Sequence, residues 1–509
     1  MHILERRFDA FGWGAIQELR LQLRSAVLIL GAALLFLGAV PGTTSTDILT
    51  LESQRSLGDG RLAALLGSPD EATAARAALA IGRTKLEAGI PLLEGHLKDG
   101  RDAVRAFSVY GLGLIGQGSD AMAIGAMADG DPAGAVRIAA IDALGRYEEA
   151  RKLDAKTEMA AALQLISIMD GVGRFTADTR GRAAIALGLF FGGDTGAMVA
   201  KHLTATFEDE RDPGVRERIM WTIFRDYAAS VPIATLRAGL KDRDEIVRIQ
   251  AVRAYGKLKD AALVADLQPL LDDPSWRVQE QTAESIRALQ GGQFTQHWTA
   301  IPSFVHIPAP VADPLARLPA LPRTSPAPGA PRPQDVPPSE PLLPQTARDM
   351  LGPVHGLHPR LRIVTTQGNI YVVLYPEWAP LTVTNFLNMM NRGFLDNNPW
   401  FRIVPDFVVQ TGEQDAKNAP GPGYSIPAEE NPLEQNSFII SMGLNYDDKT
   451  NTPLRDSAGS EYYITLSPQY HLDNAFTVFG AMTGGFDVLG RLTESDKVLR
   501  IERIADVQL

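Results

Sequence analysis

The stretch Trp400-Phe401-Arg402-Ile403-Val404-Pro405-Asp406-Phe407-Val408-Val409-Gln410-Thr411-Gly412 reads as two short strands, Trp400–Val404 and Phe407–Thr411, with Gln410 eight residues after Arg402. A guanidinium stays charged at any physiological pH and presents a rigid donor fork, which a lysine would not. Outward from this stretch the same period of two continues. Leu361–Thr365 and Asn369–Leu374 flank a Gln367-Gly368 turn and read as a hairpin. Ala379-Pro380 opens a helix that would bury Val383, Phe386, Leu387 and Met390. Further strands are expected at Phe438–Met442, Tyr462–Thr465 and Thr477–Ala481, then a second helix at Phe486–Leu492 and a last strand at Leu499–Val507. Short strands with two helices predict a mainly-β closed barrel capped at its ends by those helices.

The barrel is only part of a 509-residue chain, long enough for two to four folded units. Hydrophobic residues make up 45% and charged residues 21%, an ordinary globular balance. The formal charge of −11 argues against nucleic acid as a partner. No cysteine is present, which excludes disulfides, thiolate metal sites, a cysteine nucleophile and a lipid-modified cysteine.

At the N-terminus, Ser25–Thr46 carries no charge, and Arg6, Arg7, Arg20 and Arg24 precede it. That polarity predicts an exported chain with residues 1–46 acting as signal or membrane anchor, placing the protein in the periplasm or cell envelope. From 301 to 345 the composition changes, with 14 of the 34 prolines in 45 residues. This predicts a proline-rich linker over 301–355, semi-rigid in polyproline II, reaching on the order of 100 Å.

Between these lies a repeat. Positions Ala74, Arg105, Arg137, Arg180, Arg216, Arg248 and Gln279 recur at spacings of 31, 32, 43, 36, 32 and 31 residues, each in an Ala-rich helix ending near Leu-Gly. Such a period marks paired helices that bury their apolar faces only by stacking. Asp131-Pro132, Asp212-Pro213 and Asp273-Pro274 are expected as helix N-caps followed by proline at the first helical position. The repeated arginines read as a structural ladder bonding neighbouring turns. Val136-Arg137-Ile138-Ala139-Ala140-Ile141-Asp142-Ala143-Leu144-Gly145 resembles the HEAT-like repeats, and the resemblance implies an all-α solenoid over 47–300 that binds protein partners or a client chain.

From about residue 359 to the end the chain resembles the cyclophilins, a family of peptidyl-prolyl isomerases. The opening stretch is similar to their Phe-His-Arg-Ile-Ile-Pro-x-Phe-x-x-Gln-x-Gly signature. Ala379-Pro380-x-Thr382-x-x-Asn385-Phe386, Gly421-Pro422-Gly423-Tyr424 and His471-Leu472-Asp473-x-x-Phe476-Thr477-Val478-Phe479-Gly480 support it. The resemblance implies a cyclophilin-like isomerase domain over 356–509, acting on proline-containing polypeptides. It implies Arg402 and Gln410 as catalytic residues, and Phe407, Val408, Glu461, Tyr463, His471, Leu472 and Phe476 as substrate-binding residues. No metal or cofactor is called for.

Several positions depart from the family pattern. Glu461 stands where Gln is usual, His471 where Trp is usual, and Phe476 where His is frequent; Gly443-Leu444 replaces Ala-Asn. A carboxylate at 461 is positioned to pair with Arg402 and either orient it or compete with substrate. Asn445–Ser457 reads as an enlarged polar loop. The expected activity is isomerisation of X–Pro bonds in exported proteins, with a proline-binding assembly scaffold of the envelope as the alternative.

Overall fold

A computed structural model describes residues 42–293, isolated positions from 300 to 313, and 315–323, 357–413, 421–447 and 449–507. The expected signal or anchor lies, up to residue 41, outside the described residues. Among the described residues no helix is long and apolar enough to cross a membrane.

Seven helices carry the repeat: α1 (Glu71–Thr84), α2 (Asp102–Ile115), α3 (Gly134–Glu149), α4 (Ala177–Leu187), α5 (Pro213–Thr222), α6 (Glu245–Gly256) and α7 (Trp276–Leu289). Consecutive members pack side by side into one layer. The glycines that end the first two repeats have a packing reason. A methyl on Gly82 would run into the backbone of Gly111 on α2, and one on Gly113 would come within 2.9 Å of the Ala143 Cα on α3. Glycine thus lets neighbouring helices meet backbone to backbone.

The arginine ladder is present except at Arg137, which among the described residues bonds only the Asp131 and Pro132 carbonyls behind it; at Arg180 the partner is Glu210. Arg105 reaches Asp131 at 2.9 and 3.0 Å, Arg216 reaches Asp242 at 2.8 and 3.0 Å, and Arg248 reaches Asp273 at 2.8 Å through two nitrogens. Each is a two-pronged bond to the aspartate heading the next repeat, the strong geometry for this pair. This alters two of the expected caps. Asp212 caps α5 as anticipated, accepting from the Val215 amide at 3.1 Å, with Pro213 at the first helical position. Asp131 and Asp273 instead stand upstream of helices whose N-caps are Ala133 and Ser275, because their carboxylates serve the ladder.

The C-terminal half is a nine-stranded sheet: β1 (His358–Thr365), β2 (Gly368–Leu374), β3 (Asn398–Pro399), β4 (Arg402–Val404), β5 (Val408–Thr411), β6 (Ile439–Met442), β7 (Tyr462–Thr465), β8 (Val478–Gly484) and β9 (Lys497–Val507). Helix α8 (Pro380–Asn391) and helix α9 (Phe486–Arg491) accompany it. The order is β3-β9-β1-β2-β8-β6-β7-β5-β4, every neighbouring pair antiparallel. The expected closed barrel needs correcting to a half-barrel, since its two edges, β3 and β4, do not pair. They are consecutive in the chain, so the backbone itself crosses the gap through Trp400 and Phe401. The Thr411 hydroxyl donates to the Pro399 carbonyl across it at 2.8 Å.

Part of the stretch expected as linker lies on the barrel. Asp313 accepts from the Tyr371 hydroxyl at 2.7 Å and Asn369 at 2.8 Å, the Leu321 amide donates to the Arg503 carbonyl, and Arg323 pairs with Asp396 at 2.8 Å.

The repeat layer closes on the barrel. Buried Arg83 donates to the Glu430 carbonyl at 2.6 Å, the Trp378 carbonyl at 2.9 Å and the Glu52 carboxylate at 2.7 Å. Arg182 joins Asp142 to Glu434 and Asp473, Arg218 adds a second contact to Glu434 at 2.7 Å, and Arg277 bonds Ser437 and the Leu466 carbonyl. Val373, Tyr375, Trp378, Leu433 and Tyr470 of the barrel belong to the same buried apolar cluster as the solenoid core. The inner helices thereby bury one polar-and-apolar face against this chain's own second half.

Candidate active site

Arg402 and Gln410 are brought together by register. β4 and β5 pair antiparallel with Arg402 opposite Gln410, so both side chains leave the same face while Ile403 and Val409 turn into the core. Arg402 Nη1 donates to Gln410 Oε1 at 3.2 Å, and Gln410 Nε2 donates to Glu461 Oε2 at 3.3 Å. Glu461 therefore does not clamp Arg402 directly: the glutamine stands between them and its orientation is set from both sides.

Phe407 sits in the turn between β4 and β5, its ring 5.4 Å from the Arg402 guanidinium. His471 stacks on it, ring centres 5.9 Å apart and planes 18° apart. Tyr463 meets Phe476 edge to face at 5.9 Å. Val408, Tyr463, Leu472 and Phe476 are buried in the barrel core cluster, and Phe407, half-buried, packs against it. Of the nine residues expected at the site, Arg402, Gln410 and Glu461 are thus joined in one hydrogen-bonded row, Phe407 stands next to both Arg402 and His471, and Val408, Tyr463, Leu472 and Phe476 share one buried cluster.

The electrostatics differ from one group to the next. Burial pushes the Glu461 carboxyl up to about 7; the negative charge of Glu413 adds to this, and Gln410 and Arg402 oppose it. Gly443 makes room for the carboxylate, since a methyl there would come within 2.9 Å of Glu461 Oε2. Arg402 is lowered from its ordinary value by burial, against the pull of Tyr446 in the polar loop and of Glu461. It remains a cation. His471 is lowered by burial among its neighbours and then by the charges of Arg225, Arg253 and Lys257. It is held neutral at physiological pH.

Two neighbours had no signal in the sequence around the motif. Trp221, in the last turn of α5, stacks on His471 from the solenoid side at 6.4 Å. Asp406, in the left-handed region at φ 53°, is buried beside Arg253 at 3.6 Å. Both partners come from the repeat region, more than 150 residues upstream. Among the described residues no group of three His, Asp or Glu side chains is placed to hold a metal ion.

A family model for cyclophilin type peptidyl-prolyl cis-trans isomerases matches residues 360–508, and a model for HEAT repeats matches 58–145 and 232–297. Peptidyl-prolyl cis-trans isomerase B of Bacillus subtilis is 36% identical over 133 residues, covering 25% of this chain and 87% of that protein. A peptidyl-prolyl cis-trans isomerase of Synechococcus elongatus is 31% identical over 144 residues, 28% of this chain and 94% of that protein. Among solved structures, a cyclophilin type isomerase of Cryptosporidium parvum is 24% identical and covers 30% of this chain and 96% of that one, with a TM-score of 0.25.

Proposed function

The chain belongs to the cyclophilin-type peptidyl-prolyl cis-trans isomerases, and from that premise we propose that Arg402 is the group that accelerates rotation about X–Pro bonds. Rotation is opposed by about 18–20 kcal/mol because the prolyl nitrogen's lone pair is delocalised into the carbonyl. A cation held against that nitrogen favours the twisted state, in which the lone pair is localised, over the planar ground state. The recess formed by Phe407, Val408, Tyr463, Leu472 and Phe476 holds the proline ring, and Gln410 fixes the guanidinium. The reaction is a rotation, and no covalent bond is made or broken.

The observation that carries this reading is the register pair Arg402–Gln410 beside the Phe407 ring. The clients are proline-containing polypeptides in the envelope, the chain being exported and held at the membrane by its N-terminal uncharged segment; the arginines ahead of that segment support the topology. The HEAT-like repeats serve client binding by walling the isomerase site.

The test is a protease-independent X–Pro isomerisation assay on the full chain. Arg402→Ala is expected to lower kcat/KM by about 10²–10³-fold, the loss typical of one preorganised electrostatic donor. Arg402→Lys, lacking the fork, should recover little of it. A variant as active as the wild type would refute the arginine mechanism. Membrane fractionation with N-terminal sequencing tests the location.

A further inference from the structure

A groove of about 620 Å³ runs between the solenoid edge and the barrel rim. Its solenoid wall carries Lys85, Arg146 and Lys152; its barrel wall carries Leu444, His471 and Asn474. His471 also stacks on Phe407, so groove and proline recess share a residue.

The charges along this groove are unequally satisfied. Glu430 is paired with Lys85 at 3.3 Å and Arg455 at 2.5 Å, and Asp473 with Arg182 at 3.1 Å. Glu149 is exposed. Arg146 is different. Its Nη1 makes one long bond to the Tyr110 carbonyl at 3.4 Å, its guanidinium lies 4.6 Å from the Tyr110 ring, and its Nε and Nη2 have no hydrogen-bond partner. It has no ion pair among the described residues, whereas Arg105, Arg216 and Arg248 of the ladder each grip an aspartate. An under-compensated, half-buried guanidinium is costly unless something else supplies the counter-charge. The guanidinium is held in place by close packing on the solenoid side. A methyl on Gly113 would come within 3.1 Å of Arg146 Nη1, and the Tyr110 hydroxyl is tied to Asn474 Oδ1 at 2.7 Å across the junction. Exposed Lys152 stands on the same wall.

We propose that this groove is a charge-reading subsite for the polypeptide flanking the isomerised proline, in which Arg146 binds a carboxylate side chain of the substrate. The inference rests on the isomerase reading and deepens it: the favoured clients carry an acidic residue near the proline, and the HEAT-like repeats supply that preference. Arg–carboxylate pairing is directional and charge-assisted, so the preference is for Glu or Asp over their amides.

The experiment uses the full chain and peptides holding one X–Pro bond, with Glu, Gln or Lys moved residue by residue away from the proline on either side. Binding is read by fluorescence anisotropy and catalysis by isomerisation rate on the same peptides. At the best position Glu is expected to bind about tenfold more tightly than Gln, between the worth of an exposed pair and a bidentate one, and Lys more weakly than Gln. Arg146→Gln should bring the Glu/Gln ratio to about one. Lys152→Glu, at an exposed position, should lower the ratio and so guards against a misfolded Arg146 variant. Equal affinities for Glu and Gln peptides in the wild type would overturn the subsite, as would a ratio unmoved by both variants. A charge preference in binding without any catalysed rotation would refute the isomerase reading and leave the groove standing.

Discussion

Trp221 of the solenoid stacks on His471 of the barrel, ring centres 6.4 Å apart and planes 20° apart, and His471 in turn stacks on Phe407. Three rings from two halves of the chain therefore follow one another, Trp221, His471 and Phe407. In the family pattern a tryptophan occupies position 471; here the indole arrives instead from a helix 250 residues upstream, with a neutral imidazole between it and the recess. The repeats consequently place a ring beside the candidate site.

Trp221→Ala should both destabilise the chain and weaken substrate binding. The indole is 4% exposed and also meets Tyr470 edge to face at 5.2 Å. Its removal is expected to cost about 3–5 kcal/mol, as for other large buried aromatics cut to alanine. With His471 unsupported on one face, KM for an X–Pro peptide should rise several-fold while kcat changes less. Thermal melts and steady-state kinetics read the two effects, and Trp221→Phe should restore most of both.

Arg182 is the tie whose loss the junction tolerates least. Buried, it faces Asp142 at 2.9 Å, Glu434 at 2.6 Å and Asp473 at 3.1 Å. Arg182→Gln leaves these carboxylates with Arg218 as the nearby cation, and breaking such a buried set costs about 3–5 kcal/mol. The sign with pH follows. In the wild type, Arg218 and Arg182 hold the Glu434 carboxyl below its ordinary value despite its burial, so its stabilisation is present above about pH 4.5 and lost as pH falls. In the variant the uncompensated carboxylates favour protonation. Denaturant midpoints of the two proteins should differ most near pH 8 and converge only as pH falls toward about 2.

The elements themselves were legible because their signals are local. Alternation along 361–374 fixes a hairpin, and the spacing of Arg402 and Gln410 puts them opposite each other once the strands pair. The repeat spacing and the ladder arginines were equally readable, since the partners of Arg105, Arg216 and Arg248 lie 25 or 26 residues ahead in the next unit. Three things were not. The open gap between β3 and β4 depends on which distant strands pair, and the two-residue β3 has too little sequence to show a period. The Asp-Pro steps at 131 and 273 resemble caps until the competing arginine is known. Above all, Arg83, Arg182 and Arg218 look like solvated charges on amphipathic helices, because their partners lie more than 200 residues away on another fold.

Gly82→Ala should destabilise the repeat layer although alanine is the better helix former. The added methyl meets the Gly111 backbone, which cannot rotate aside, so α1 and α2 must part. Overpacking of this kind costs about 1–3 kcal/mol, more than the roughly 1 kcal/mol gained in helix propensity. Gly130→Ala is the control: nothing lies within 4 Å of the new methyl, and the melting temperature should hold or rise.

Glu461→Gln should make the enzyme faster above neutral pH and flatten its pH profile. The carboxyl, pushed up to about 7 by burial and by Glu413, is mostly protonated at pH 6 and mostly ionised at pH 8, while Arg402 remains charged throughout. When ionised it accepts from Gln410 and offsets the field of Arg402 where the prolyl nitrogen must sit. At an effective interaction of about 1 kcal/mol, catalysed rotation by the wild type should fall about fivefold from pH 6 to pH 8. The amide keeps the hydrogen bond geometry without the charge, so the variant should hold its pH 6 rate across the range. Stability gives an independent reading of the same group. A carboxyl whose folded value lies above its ordinary 4.5 binds its proton more tightly in the folded chain, so folding loses free energy as pH rises from about 4.5 through 7. Glu461→Gln abolishes that loss, and its gain in denaturation midpoint should grow over the same interval. A wild-type rate independent of pH between 6 and 8 would show that the carboxylate does not act on Arg402.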